Sequence, residues 1–212
     1  MKRTLLSLVF ATALAAPMFA SAASAVQMGV KGTIFPGACD ISMPAGSTVN
    51  IGRYAVGALN KDKARIYFGG WPLNFQVTCQ VPTIIGIKTI DERSGTAVTD
   101  ATPDAPATGF GLGKAGNTNI GMYQFLFSQV TADGEKLRAR TFAPGKSVPE
   151  RSTYAVPGGT MKFLTEESQE QTPHRVYEGQ VGMAVYLEKG SAFHITEETP
   201  IDGLVTFELV YE

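Results

Sequence analysis

Apolar and polar residues alternate with a period of two along much of the chain, and this pattern predicts β-strands. The alternation is clearest near the carboxyl end, where Val205, Phe207, Leu209 and Tyr211 share one face of an extended segment. Residues 120–130, IGMYQFLFSQV, are apolar on both faces, which is typical of a strand inside a sandwich. Other strand-length stretches lie between turn residues, at 30–35, 48–54, 73–81, 83–90 and 181–187.

The stretches between these segments are rich in glycine, proline and polar residues, and we interpret the longest as exposed loops. They are residues 91–109, 144–159 and 165–174. No segment carries a sustained apolar stripe with the 3.6-residue period of a helix, and no repeat or linker divides the chain. The sequence therefore predicts an all-β fold, a single immunoglobulin-like β-sandwich with elaborated loops.

The first 22 residues have the layout of a secretory signal peptide. Lys2 and Arg3 precede an apolar run of 12 residues, and small residues end at Ala22. The run is shorter than the ~20 residues that a membrane-spanning helix needs, and no later segment comes close, so we expect no membrane span. We expect cleavage after Ala22 and export of the remainder; an uncleaved anchor is the alternative.

Charge and composition narrow the class of protein. Loss of residues 1–22 changes the formal net charge from −1 to about −3, because two basic residues and no acidic residue are removed. Nothing in this balance suggests the basic face that nucleic acid requires. Apolar residues make up 44% of the chain and charged residues 17%, which is too apolar for disorder.

The only two cysteines, Cys39 and Cys79, lie in the exported part of the chain. In an oxidising compartment such a pair is most simply one disulfide. Closing a loop of about 40 residues would stabilise the fold by about 4 kcal/mol. The alternative is a metal site with His174 and His194, but these four residues lack the short paired spacings of zinc ligands. We expect no metal and no cofactor.

Motifs that would indicate an enzyme are weak. Residues 111–116 spell G-x-G-x-x-G, yet a strand pattern follows them rather than the helix that would hold a pyrophosphate, so a glycine-rich turn is the better interpretation. His174 and His194 fit no catalytic motif and are expected at the surface, and no G-x-S-x-G occurs. The sequence therefore predicts that the protein is not an enzyme.

The stretch KGTIFPGAC, residues 31–39, resembles the first strand of chaperone/usher fimbrial subunits. In such subunits a second cysteine closes an alternating strand about 40 residues later, as Cys79 does in this chain. Four further pieces resemble a fimbrial-type domain family of unknown function, similar to beta-fimbriae subunits (DUF1120-like). They are FGLG at 110–113, IGMY at 120–123, ADG at 132–134 and IDGLVTFELVY at 201–211.

The resemblance implies an incomplete immunoglobulin-like (pilin) β-sandwich over residues 31–212 that lacks its final strand and leaves a groove open. Val205, Phe207, Leu209 and Tyr211 would line or flank this groove. A periplasmic pilus chaperone would lend the missing strand and grip the terminal carboxylate of Glu212. After passage to an outer-membrane usher, neighbouring fimbrial subunits would supply the strand instead.

The donor strand implied by the resemblance is residues 23–30, in which Val26, Met28 and Val30 alternate. This extension is shorter than the roughly dozen residues that fibre-forming subunits use, so a polymerising major subunit and a minor, terminal or tip-proximal subunit are both alternatives. The implied function is a structural subunit of adhesive fimbriae, exported to the periplasm and then the cell surface of a Gram-negative bacterium. The alternative is a carbohydrate-binding adhesin module without polymerisation, with recognition by residues 91–109 and 165–174.

Overall fold

The structure is a computed structural model that describes residue 31 and residues 38–43, 48–147 and 153–212, with the side chains of Trp71 and Pro72 not described. The chain divides into a unit Met1–Phe35 and a unit Pro36–Glu212, and all the described strands belong to the second unit. The predicted signal peptide (residues 1–22), the predicted donor strand with Val26, Met28 and Val30, and the predicted strand at 30–35 lie outside the described residues.

The described residues form eleven strands, one turn of α-helix and two 3₁₀ turns. The helix, α1, spans Ala105–Thr108, and the 3₁₀ turns span Val56–Ala58 and Gly190–Ala192. The strands are β1 (Cys39–Ser42), β2 (Arg65–Thr83), β3 (Ile85–Asp91), β4 (Phe110–Gly111), β5 (Lys114–Ala115), β6 (Thr118–Asn119), β7 (Gly121–Ala132), β8 (Glu135–Phe142), β9 (Thr160–Thr165), β10 (His174–Leu187) and β11 (Val205–Tyr211).

Eight strands follow one antiparallel path, in the order β1-β2-β10-β7-β8-β9-β3-β11. The path turns between β7 and β8 at Asp133 and Gly134, both with positive φ, as in a tight two-residue hairpin turn. One layer consists of β1, β2, β10 and β7, and β4 extends it. The other layer consists of β8, β9, β3 and β11. The short strands β5 and β6 pair separately.

Aromatic side chains fill the space between the two layers. Phe75 on β2 and Phe163 on β9 stack with ring centroids 6.0 Å apart, and Phe163 also contacts Tyr177 on β10. Because these rings join strands of opposite layers, the layers pack face to face around one core. The predicted all-β sandwich is confirmed.

Several predicted elements differ in the structure. Residues 48–54 form no strand and pair with none of the described strands; they line a cavity instead. Part of the predicted loop at 91–109 is buried, because α1 packs on β7 and Gln124 Nε2 donates a hydrogen bond to Thr108 Oγ1 at 2.5 Å. The strands β8 and β9 have no counterpart in the sequence-based prediction.

The expectation that His174 lies at the surface is wrong. His174 is the first residue of β10, is only 8% exposed, and packs its ring edge-on against Tyr177. Its Nε2 lies 2.8 Å from Thr172 Oγ1 and its Nδ1 lies 3.3 Å from a carboxylate oxygen of Asp133. The polar residues around His174 favoured a loop over 165–174, although β10 begins at the last residue of this stretch.

Asp133 fastens the β7–β8 turn to the start of β10. Its two carboxylate oxygens accept hydrogen bonds from the amides of Arg175 and Val176, both at 3.0 Å. These bonds favour the charged carboxylate, the bond from the Arg175 amide most of all, and His174 adds to them. Together they hold the pKa of Asp133 below its usual range.

Substitution Asp133→Asn is expected to lower the free energy of unfolding at pH 7 by about 1 kcal/mol, because one charged acceptor of two amides is lost. A carboxyl group whose pKa is depressed on folding stabilises the fold above its unfolded pKa and loses this effect as the pH falls through the folded pKa. The difference from the unsubstituted chain should therefore shrink below about pH 4. Urea unfolding at pH 7 and pH 3 measures both values.

Asp104→Asn serves as the control, since Asp104 is exposed and its side chain caps no amide of α1. It should change the free energy of unfolding little at either pH. An equally large loss for Asp133→Asn at both pH values would contradict the proposed role of its charge.

Candidate functional site

The path of strands has two ends, β1 and β11, and each pairs with one neighbour among the described strands. β11 pairs with β3 from Val205 opposite Asp91 to Tyr211 opposite Ile85. β1 pairs with β2, beginning at Cys39 opposite Cys79. Among the described residues, no strand pairs with the outer side of β11. We call this side the free edge of β11, a feature that natural sheets usually protect.

The ladder register identifies the main-chain groups on the free edge of β11. The amide of Glu92 donates to the carbonyl of Leu204, and the amide of Glu212 donates to the carbonyl of Ile84. In an antiparallel ladder alternate residues bond to the same neighbour, so the even-numbered residues of β11 bond to β3. The residues that direct their N–H and C=O groups toward the free edge are Val205, Phe207, Leu209 and Tyr211.

Three of these four residues direct their side chains toward the core. Val205, Phe207 and Leu209 are partly buried against it, as the alternation in the sequence predicts. The ring of Phe207 lies 5.5 Å from that of Phe125 and 6.3 Å from that of Phe127, between ring centroids. β11 therefore contributes to the core with one face while its outer main-chain groups find no strand among the described residues.

Tyr211 links the outer sides of β1 and β11 at one end. The amide of Cys39 donates a hydrogen bond to Tyr211 Oη at 3.2 Å, and this hydroxyl donates more weakly to the carbonyl of Cys39 at 3.5 Å. The amide of Gln80 donates to the carbonyl of Ala38, so Cys39, one residue on, directs its main-chain groups away from β2. The Tyr211 side chain thus joins β1 to β11, where a closed sheet would have main-chain hydrogen bonds between the two strands.

A cavity of about 900 Å³ lies beside the start of β11. Val205 and Phe207 form one wall, and inward-facing residues of β7 and β10 form its floor. Two irregular segments, within residues 48–56 and 193–204, supply most of the remaining lining, and an ion pair of 3.1 Å between Arg53 and Glu198 links them. Both of these side chains are largely exposed, so the link contributes little stability.

Tyr123 places a polar atom in this mainly apolar lining. The residue is buried, and its hydroxyl has no hydrogen-bond partner within the described part of the chain. Gly203 leaves room for the ring, since a Cβ there would lie 2.8 Å from Tyr123 Cε1. Burial and, next, the carboxylate of Asp91 raise the pKa of Tyr123, so the hydroxyl remains a hydrogen-bond donor.

The Cys39–Cys79 disulfide is confirmed and connects β1 to β2 directly beside the Tyr211 bridge. Among the residues that the structure describes, no group of three or more His, Cys, Asp or Glu side chains is placed to hold a metal ion. Within the same residues, no helix is both long and apolar enough to cross a membrane.

Glu212 extends the ladder with β3 through its amide, and its side chain lies 2.5 Å from Lys162 Nζ. Its predicted contact with a chaperone stays a prediction, as do the roles of Val26, Met28 and Val30. The sequence-based prediction missed Tyr123 and both irregular segments of the cavity. The pattern of residues 120–130 places Tyr123 in a buried strand, but no sequence signal reveals that its hydroxyl has no partner among the described residues.

Within the described residues, the protein is an all-β sandwich in which the outer edge of β11 pairs with no strand and adjoins a mainly apolar cavity. Residues 28–140, more than half of the chain, match the family described as protein of unknown function (DUF1120). The chain belongs to this family. No curated protein and no solved structure matches the chain significantly.

Proposed function

We propose that the protein is an exported fimbrial-type structural subunit whose sandwich is completed by a strand from another chain. The free edge of β11 carries this proposal. Val205, Phe207 and Leu209 direct main-chain donors and acceptors to this edge, and the apolar cavity of about 900 Å³ adjoins it. An extended peptide adds to such an edge through main-chain hydrogen bonds and places alternate side chains in pockets.

In this proposal residues 1–22 direct export, and the Cys39–Cys79 disulfide forms in the periplasm. A periplasmic pilus chaperone lends the first added strand along β11 and contacts the terminal carboxylate of Glu212. At the outer-membrane usher, a neighbouring fimbrial subunit replaces that strand with its own. The assembled fimbrium stands on the surface of a Gram-negative bacterium and contributes to adhesion.

The added strand has a large energetic role in this proposal. Each Val or Met side chain that moves from water into an apolar pocket contributes about 1.5–3 kcal/mol. Ordering the strand offsets part of this gain, since fixing each residue costs about 1–2 kcal/mol. We therefore expect the subunit without a partner strand to be less stable and prone to self-association through its free edge.

A chain that repeats residues 23–30 after Glu212, joined by a flexible linker, tests the proposal. This extension should raise the melting temperature by about 5 °C or more and keep the chain monomeric in size-exclusion chromatography. The control extension carries aspartate at the positions equivalent to Val26, Met28 and Val30 and should raise neither property. The proposal fails if the unextended chain is already a stable monomer and neither extension changes its melting temperature.

A further inference from the structure

We propose that the cavity beside β11 binds an uncharged apolar molecule with one hydrogen-bond acceptor, which the buried hydroxyl of Tyr123 recognises. The inference goes beyond the proposed function, because it concerns a small ligand and needs no added strand. It is supported by a buried donor without a partner, by a lining whose charges are paired, and by an apolar opening to solvent.

The hydroxyl of Tyr123 is a buried donor that finds no acceptor among the described residues. Tyr123 is only 4% exposed. The carboxylates of Asp91 and Asp202 act on this hydroxyl through their charge, but both bond elsewhere. Asp91 accepts hydrogen bonds from the amides of Arg93 and Gly111. Asp202 pairs with the guanidinium of Arg93. Leaving a buried donor without an acceptor is costly, so an acceptor that reaches it from the cavity gains affinity.

The hydroxyl end of the Tyr123 ring borders the cavity. A Cβ at Gly203 would lie 2.8 Å from Tyr123 Cε1, the ring carbon next to the one that bears the hydroxyl. The same Cβ would lie 2.9 Å from Leu112 Cδ2. Tyr123, Gly203 and Leu112 all line the cavity. Because Gly203 has no side chain, the hydroxyl end of the ring lies beside this space without a covering group from residue 203.

The described lining offers no unpaired charge to a ligand. Its charged residues are Arg53, Glu198 and Asp202. Arg53 and Glu198 pair with each other at 3.1 Å, and Asp202 pairs with Arg93 at 2.6 Å. A charged ligand would leave water without gaining an oppositely charged partner, which is unfavourable. The site therefore favours an uncharged molecule.

The opening and the volume of the cavity suit an apolar body. Ile195 is 38% exposed and Leu204 is 49% exposed, and both line the cavity, so its rim is apolar. The volume of about 900 Å³ lies within the range of small-molecule sites, roughly 300–1,000 Å³. Burial of apolar surface would supply most of the binding free energy, and the acceptor at Tyr123 would fix the orientation of the ligand.

Acetophenone and α-methylstyrene test the inference, because they have nearly the same shape and only acetophenone carries a carbonyl acceptor. Ligand-observed NMR titration gives both dissociation constants for the protein produced from the full-length chain and for its Tyr123→Phe variant. Both compounds should bind. The dissociation constant of α-methylstyrene divided by that of acetophenone should fall about fivefold in Tyr123→Phe, since only acetophenone loses a hydrogen bond. This comparison of ratios cancels the different affinities of the two compounds for water.

Tyr177→Phe is the matched control. Tyr177 is also buried, but it does not line the cavity, and its hydroxyl donates to the carbonyl of Thr83 at 2.7 Å. This variant should keep the ratio within about twofold of that of the unsubstituted protein. Nuclear Overhauser contacts between acetophenone and the Tyr123 ring in the unsubstituted protein should locate the ligand independently of any variant.

The inference fails if neither compound binds up to its solubility limit, if Tyr123→Phe keeps the ratio, or if the ligand shows no contact with the Tyr123 ring. Each of these results would leave the proposed function intact. Loss of acetophenone binding in the chain that repeats residues 23–30 after Glu212 would also refute the inference. The added strand would then fill the cavity, which would support the proposed function.

Discussion

Replacing Cys39 and Cys79 together by alanine is expected to lower the free energy of unfolding by about 4 kcal/mol. The disulfide closes a loop with a sequence separation of 40, and its loss returns that conformational freedom to the unfolded chain. It also removes the covalent support of β1, which has only four residues and pairs with β2 alone among the described strands. Urea unfolding of the oxidised chain and the double variant measures the difference.

Reduced wild-type chain is the control, because it lacks the crosslink but keeps both side chains. It should unfold close to the double variant, apart from the small packing loss at Cys79, which is buried. A loss below about 1 kcal/mol in both forms would contradict the expected stabilisation by the crosslink.

The regular strands were predictable because their signal is local. β7 has apolar residues on both faces and is buried on both, and β11 alternates and is half-buried, as its sequence indicates. Turn chemistry was equally clear at Asp133 and Gly134, where both residues adopt positive φ. Each of these features depends on a few adjacent residues, so a single sequence is sufficient to find them.

The missed elements depend on partners far along the chain. In β8 the inward positions are Leu137, Ala139 and Thr141, a weak apolar pattern that becomes a strand because β9 pairs with it. Residues 48–54 have the stronger alternation, yet they pair with no described strand and line a cavity instead. Period-two alternation thus shows that a segment suits a sheet, and the tertiary context decides whether it joins one.

The candidate site also combines features that the local sequence predicts with features that depend on distant partners. The sequence placed Val205, Phe207 and Leu209 on one face, which the structure also does. It did not show that Tyr211 contacts Cys39, since 172 residues separate them. The odd-numbered residues of β11 direct their main-chain groups outward because the even-numbered residues bond to β3. No local pattern in the sequence specifies this pairing.

Phe207→Ala is expected to lower the free energy of unfolding by about 3 kcal/mol, the lower end of the range for such changes because the side chain is only partly buried. Phe207 supplies the ring through which β11 contacts Phe125 and Phe127 on β7. Glu208→Ala is the matched control on the same strand. Glu208 is exposed and pairs with Lys88 at 3.5 Å, so its loss should cost less than about 1 kcal/mol.

The same two variants distinguish a role of Phe207 in the core from a role beside an added strand. Phe207 also forms a wall of the cavity, so an inserted strand would pack against its ring. In Phe207→Ala the rise in melting temperature from the extension after Glu212 should fall to less than about half its normal size, whereas Glu208→Ala should keep the full rise. If both variants keep the full rise, the added strand does not pack beside Phe207 and lies elsewhere on the sandwich.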